Sequence, residues 1–198
     1  MVRRDVMVQA TLQLNKLPTI EDAKFALDFN IQNEIKVSAW GDQVESAIDA
    51  GRVSVPTCIC LDLEDLKCFE PVERQYERWG VIFHNSIAIQ PSNPAFPAYS
   101  GLTVLMGAPK SGFLEATFLQ PVNSVSAFVT SSQRLVLSAY DRDRQLIAQT
   151  VLPSANLANS DSGISPNTLL SITGDNIYSV TFCAFDGQFT LDNFRFCL

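Results

Sequence analysis

The stretch FDGQFTLDNFRF, residues 185–196, decides the fold. Phe189 and Leu191 alternate with Gln188 and Thr190, the period-two pattern of a strand buried on one side. The phase then flips: Asp192 and Asn193 intervene, and Phe194 and Phe196 occupy the parity that had been polar. A β-bulge does this, because one extra residue re-aims every side chain after it. In that reading Asp192 and Asn193 bond to local backbone.

Working outward, the helical period almost vanishes after Gly51. VSVPTCICLDL, LKCFE, GVIFHNSIAI, LTVLMG, FLEATFL, VSAFVTS, RLVLSAY, QLIAQTVL, TLLSITG, NIYSVTFCAF and QFTLDNFRF read as short strands, most of them separated by Pro, Gly, Asn, Asp or Ser. Many short strands at regular spacing predict a two-layer antiparallel β-sandwich over residues 52–198. The proline-rich QPSNPAFPAYSG (90–101) and the Ser/Asn-rich LPSANLANSDSGISPN (152–167) read as its two irregular loops.

Residues 1–51 read differently. VMVQATLQL alternates as a strand, and TIEDAKFA and GDQVESAIDAG carry helical signals. LDFNIQNEIKVSAW returns to alternation, with Ile35, Val37 and Ala39 on one parity. The expectation is a small N-terminal α/β extension that packs on the sandwich, being too small to bury much alone.

The bulk numbers narrow the function. With 14 basic and 21 acidic side chains in 198 residues, the net charge is −7. Nucleic acid and anionic membrane surfaces, which bind through basic clusters, are poor partners. MVRRDVMVQATLQL interleaves polar residues where an export signal needs a continuous apolar run, which favours a cytoplasmic chain. Five cysteines cannot all pair within one chain, and no C-x-x-C is present. Reduced, buried thiols are expected, with no zinc or redox role. The single histidine, His84, shares parity with the more polar side of its strand and cannot supply a multi-histidine metal centre.

The succession FLEATFLQPVNSVSAFV, LVLSAYDRDRQLIA, LSITGDNIYSVTF and FTLDNFRF resembles the second half of bacterial galactose-binding-domain-like jelly rolls. The likeness spans residues 114–196, and CFEPVERQYERWGVIF resembles the family's opening strand and first loop. It implies an antiparallel jelly-roll β-sandwich and a non-catalytic carbohydrate-binding role. It also implies a structural calcium held between Glu70 and Asp192, since calcium takes oxygen ligands from carboxylates and carbonyls. A bulge and a calcium site are compatible, so both remain open.

Sugars are bound by stacking a C–H face on an aromatic ring and by hydrogen bonds to hydroxyls. Tyr76, Arg78 and Trp79, in the loop before GVIFHNSIAI, and Asn93 and Tyr99, in the proline-rich loop, have that composition. The competing reading is that the aromatic residues cover the end of the core with their polar tips outward. The acidic run EDLKCFEPVERQYER could suggest the paired carboxylates of glycoside hydrolysis. A solvated surface is the expectation there, and DRDRQ (141–145) reads as a charged turn. The resulting expectation is a lectin-like module, with a protein-interaction sandwich that binds no sugar as its rival.

Overall fold

The computed structural model of the chain describes residues 34–40, 58–107 and 112–198. The strand VMVQATLQL and the helices at TIEDAKFA and GDQVESAIDAG lie outside the described residues. Within them the strands are β1 (Glu34–Ser38), β2 (Cys58–Asp62), β3 (Val81–His84), β4 (Ser86–Ile89) and β5 (Val104–Gly107), then β6 (Phe113–Ser131), β7 (Leu135–Tyr140), β8 (Leu146–Leu152), β9 (Thr168–Cys183) and β10 (Phe189–Cys197). One 3-10 turn, Glu77–Trp79, precedes β3.

The long strands β6 and β9 organise the sandwich. The first part of β6, Phe113–Thr117, pairs with Ser179–Cys183 of β9. β3 lies on its other side, while β7 and then β8 continue beyond β9. The second part, Ser124–Val129, pairs with Thr168–Thr173 of β9, and β10 lies on its other side. Beyond β10 come β5 and β4 at one end and β2 and β1 at the other. The β6–β9 register slips between Thr117 and Ser124. Pro121 falls in this interval, where its missing N–H interrupts no ladder bond. FLEATFL and VSAFVTS are therefore one strand with an irregular middle, as are TLLSITG and NIYSVTFCAF. GVIFHNSIAI instead breaks at Asn85, whose φ is +60°. LKCFE forms turns, with one bridge from Pro71 to Ile87.

The core lies between the two parts. Phe83 and Phe118 meet Phe194 and Phe196 respectively, each at 5.2 Å between ring centres. Phe182 lies 6.4 Å from both Phe189 and Phe194. All these rings are buried, and each stabilises the fold by about 1.5–3 kcal/mol relative to exposure. β1 runs parallel to β2 and buries Val37 from the alternating set seen in the sequence.

β10 carries the expected bulge. Its pairing with β6 shifts between Asp192 and Arg195, where Asn193 and Phe194 span the interval that Ala127 alone covers on β6. Asn193 takes φ +52°, a left-handed conformation that asparagine tolerates better than most residues. Phe189 and Leu191 point into the core before it, and Phe194 and Phe196 after it.

The cysteines correct the sequence reading. Cys58 on β2 and Cys197 on β10 stand directly opposite each other, with Cα atoms 4.0 Å apart, and form a disulfide. Cys60, Cys68 and Cys183 are free thiols, of which only Cys60 is buried. Burial, followed by the nearby Glu34 carboxylate, pushes the Cys60 thiol up to about 11, so it stays protonated at neutral pH. The odd count concealed a pair that becomes adjacent only when β2 docks beside β10.

Two results are expected from this arrangement. Under denaturing conditions without reductant the chain should show three titratable thiols, and five after reduction. The bridge closes a sequence separation of 139, so reduction should lower stability by about 2–4 kcal/mol. Five thiols before reduction would contradict the pairing.

Candidate functional site

The bulge sets Asp192 on the outer side of the sheet, yet only 4% of the residue is exposed. A segment far away in sequence covers it. Tyr99 and Ser100 donate their backbone N–H groups to Oδ2, both at 2.8 Å. Asn193 N–H donates to Oδ1 at 2.6 Å, and Ser100 Oγ lies 3.3 Å from the same oxygen. One carboxylate thus fastens the proline-rich loop across the sheet. Hydrogen bonds to an ionised acceptor are roughly twice as strong as neutral ones.

The clamp fixes Tyr99. Its ring lies flat on Phe128, the β6 partner of Asp192, at 3.5 Å between centres and 9° between planes. With one ring face covered, the residue remains 49% exposed. The second loop supports the first, because Ala158 N–H donates to Ala95 O at 3.0 Å. Fully buried Asn156 holds that second loop. It accepts from Ser131 N–H at 2.7 Å and donates to Val129 O and Ser165 O at 2.9 and 3.0 Å.

Beside Tyr99 the outer side of the sheet carries a grid of hydroxyls. Phe128 faces Leu169 across the β6–β9 ladder, Ser126 faces Ser171, and Ser124 faces Thr173. Successive rows are about 7 Å apart along the strands, and facing side chains stand about 5 Å apart. The hydroxyls of Ser124, Ser126, Ser171 and Thr173 have no hydrogen-bond partner among the described residues. Across β10, Arg195 faces Ser126, with its Nε 2.9 Å from Glu34 Oε2.

The five sugar-contact residues expected from the sequence do not form one site. Tyr76 is a correction: it is fully buried, packs edge-on against Phe83, and donates its hydroxyl to Asp62 O at 2.5 Å. Burial, with the carboxylates of Asp65, Asp62, Glu70 and Glu64 around it, pushes its phenol well above the usual range. Arg78 and Trp79 stack on each other at 4.9 Å, and both donate to Ser38 O at the end of β1. Asn93 is exposed in a separate groove, and Tyr99 stands on the open sheet. His84 is exposed on its strand.

The calcium expectation at Glu70 and Asp192 does not fit the donor set. The Asp192 oxygens are taken up by N–H and hydroxyl donors, whereas a calcium ion needs carboxylate and carbonyl oxygens turned toward it. Glu70 Oε1 is buried without a partner, but among the described residues no group of three or more His, Cys, Asp or Glu converges. In the acidic run the Glu70 and Glu73 carboxylates have no partner among the described residues, whereas the other three are engaged. Glu64 accepts from Leu102 and Thr103 N–H, Asp65 accepts from Ala39 and Trp40 N–H, and Glu77 pairs with Arg74.

Phe69 escaped the sequence reading because LKCFE was taken as a strand. It sits at φ +68° and is 75% exposed. A bulky residue held there costs about 1–3 kcal/mol, the kind of strain that clusters at functional positions. The neighbouring turn holds it: Phe69 N–H donates to Ala88 O at 2.7 Å and Glu70 N–H to Lys67 O at 3.0 Å. The only signal in the sequence was an aromatic residue just before Glu-Pro.

No family model and no curated protein matches the sequence. Among solved structures, the chain is similar to the K1 cleaved adhesin domain of Lys-gingipain from Porphyromonas gingivalis W83. That match has 11% identity and a TM-score of 0.42, over 71% of this chain and 97% of the other. TmCBM61 in complex with β-1,4-galactotriose matches at 12% identity and TM-score 0.37, over 62% and 94%. The CBM22-1 xylan-binding domain from Paenibacillus barcinonensis matches at 13% identity and TM-score 0.33, over 66% and 90%.

Asp192→Ala leaves the backbone N–H groups of Tyr99, Ser100 and Asn193 without their acceptor, and an unsatisfied buried donor costs about 1–3 kcal/mol. Urea unfolding should show a loss of about 2–4 kcal/mol, with a smaller loss for Asp192→Asn, which keeps one acceptor oxygen. A change below about 0.5 kcal/mol in Asp192→Ala, the range of ordinary surface substitutions, would contradict the clamp.

Proposed function

We propose that this domain binds a neutral carbohydrate chain on the open sheet beside Tyr99 and does not transform it. One observation carries the reading: an exposed aromatic ring, locked flat on Phe128, stands next to four hydroxyls that have no partner among the described residues. A pyranose presents a C–H face that stacks on such a ring, and hydroxyls around its rim that bond to the grid. Leu169, partly exposed opposite Phe128, extends the apolar end of the surface. Because Asp192 and Phe128 already immobilise Tyr99, little conformational freedom is lost on binding.

The absence of chemistry is part of the proposal. In the acidic run Glu64 and Asp65 hold backbone N–H groups, Glu77 pairs with Arg74 and Glu70 has a buried oxygen. Glu73 is thus the one exposed carboxylate of the run with no partner among the described residues. General-acid and nucleophile roles in glycoside hydrolysis require two carboxyl groups free to flank the scissile bond.

An open surface gives modest affinity, in the micromolar to millimolar range, or about −8 to −4 kcal/mol. Calorimetry against neutral oligosaccharides of glucose, galactose, mannose and xylose should detect binding, with no hydrolysis product on prolonged incubation. Tyr99→Ala should weaken it at least about tenfold, equivalent to 1.4 kcal/mol, without loss of folding. Absence of binding across the panel by folded protein would overturn the proposal in favour of a protein-interaction module. Product release would overturn the non-catalytic part alone.

A further inference from the structure

The groove beside Phe69 shares the proline-rich loop and β10 with the Tyr99 surface but is lined by different residues. Its volume is about 180 Å³, and its walls include Phe69, Gln90, Asn93, Phe96, Gln188 and Thr190. None of the described side chains lining it is charged. The proline-rich loop and the end of β4 supply Gln90, Asn93 and Phe96, and the start of β10 with the residue before it supplies Thr190 and Gln188. Asn93 is fixed from within, since its Oδ1 accepts from Ala95 N–H at 3.0 Å and its carbonyl from Phe96 N–H at 3.0 Å. Its Nδ2 and the side-chain amides of Gln90 and Gln188 have no partner among the described residues.

These features select a ligand. Pockets that enclose drug-sized molecules hold about 300–1,000 Å³, so this groove admits one small unit rather than a chain. An uncharged lining disfavours anionic and cationic groups, which would lose their hydration without gaining a counter-charge. The Gln90 and Gln188 amides and the Asn93 Nδ2 supply donors and acceptors for hydroxyls. The exposed Phe69 ring supplies an apolar face, held in place by a backbone conformation that phenylalanine does not adopt without support.

We propose that this groove is a second binding site, which takes a single neutral pyranose unit with its C–H face on Phe69 and its hydroxyls on Gln90, Asn93 and Gln188. The inference rests on the carbohydrate-binding reading and adds a separate subsite to it. Such a site holds a terminal or branching sugar, whereas the open surface beside Tyr99 accommodates a chain. Two modest sites on one domain raise the apparent affinity for a branched or multivalent glycan through effective concentration.

The test is an NMR titration of the whole chain with the methyl glycosides of glucose, galactose, mannose and xylose at millimolar concentration. The side-chain amide signals of Gln90, Asn93 and Gln188 should shift with at least one of them. Phe69→Ala should weaken that response at least tenfold while leaving the Tyr99 surface responsive, and Tyr99→Ala should do the reverse. Phe69→Gly should also lose the groove response, yet unfold at the same or higher temperature, because glycine relieves the backbone at φ +68°. Groove amides that stay silent while the Tyr99 surface responds would overturn this site and leave the proposed function standing. Silence at both sites, with oligosaccharides also failing to bind, would overturn the two together.

Discussion

The carboxylate of Asp192 on β10 fastens the proline-rich loop, far away in sequence, across the sheet. It is buried, and burial of an ionised group is costly unless donors surround it. Here the donors are backbone N–H groups of Tyr99, Ser100 and Asn193. The β10 bulge turns the acid to the outer side of the sheet while returning Phe194 and Phe196 to the core. Remove the extra residue and either the phenylalanines face solvent or the acid faces the core. The same local irregularity therefore serves both the packing and the placement of the loop.

The remaining architecture holds that junction rigid. β6 and β9 pass through both parts of the sandwich, so the open grid and the aromatic core share the same two strands. The disulfide fixes β10 to β2 on the far side of the bulge, and Arg195 with Glu34 adds a link from β10 toward β1. Loop residues 152–167 brace the proline-rich loop through Ala158, and Asn156 ties them to β6. A ring presented to solvent on this platform has its orientation set before any ligand arrives. Preorganisation of this kind lets a shallow surface bind at all.

Much of this was legible in the sequence, for identifiable reasons. Period-two alternation located the strands, and the phase flip located the bulge at Asp192 and Asn193. Tyr99 was one of five sugar-contact candidates, with covering the end of the core as the competing use, which its loop neighbour Phe96 fulfils. What escaped depends on contacts distant in sequence. Tyr76 lies between charged residues and reads as exposed, but its ring turns in to Phe83 and its hydroxyl finds Asp62 O. Cys58 and Cys197 become neighbours only through strand pairing. Pro121 suggested a strand break, whereas β6 continues through the interval where its ladder is already irregular. Phe69 was hidden by an apparent strand, since a left-handed phenylalanine leaves no mark in the pattern.

Amide hydrogen exchange at Tyr99 and Ser100 tests the clamp most directly. Loop amides ordinarily exchange at rates set by local opening, well below the stability of the core. If Asp192 fastens the loop as described, these two amides should be protected far more than their exposed neighbours Ser92 and Asn93. The protection should disappear in Asp192→Ala while the β6 amides keep theirs. Rapid exchange at Tyr99 and Ser100 in the unaltered protein, indistinguishable from that at Ser92 and Asn93, would contradict the account.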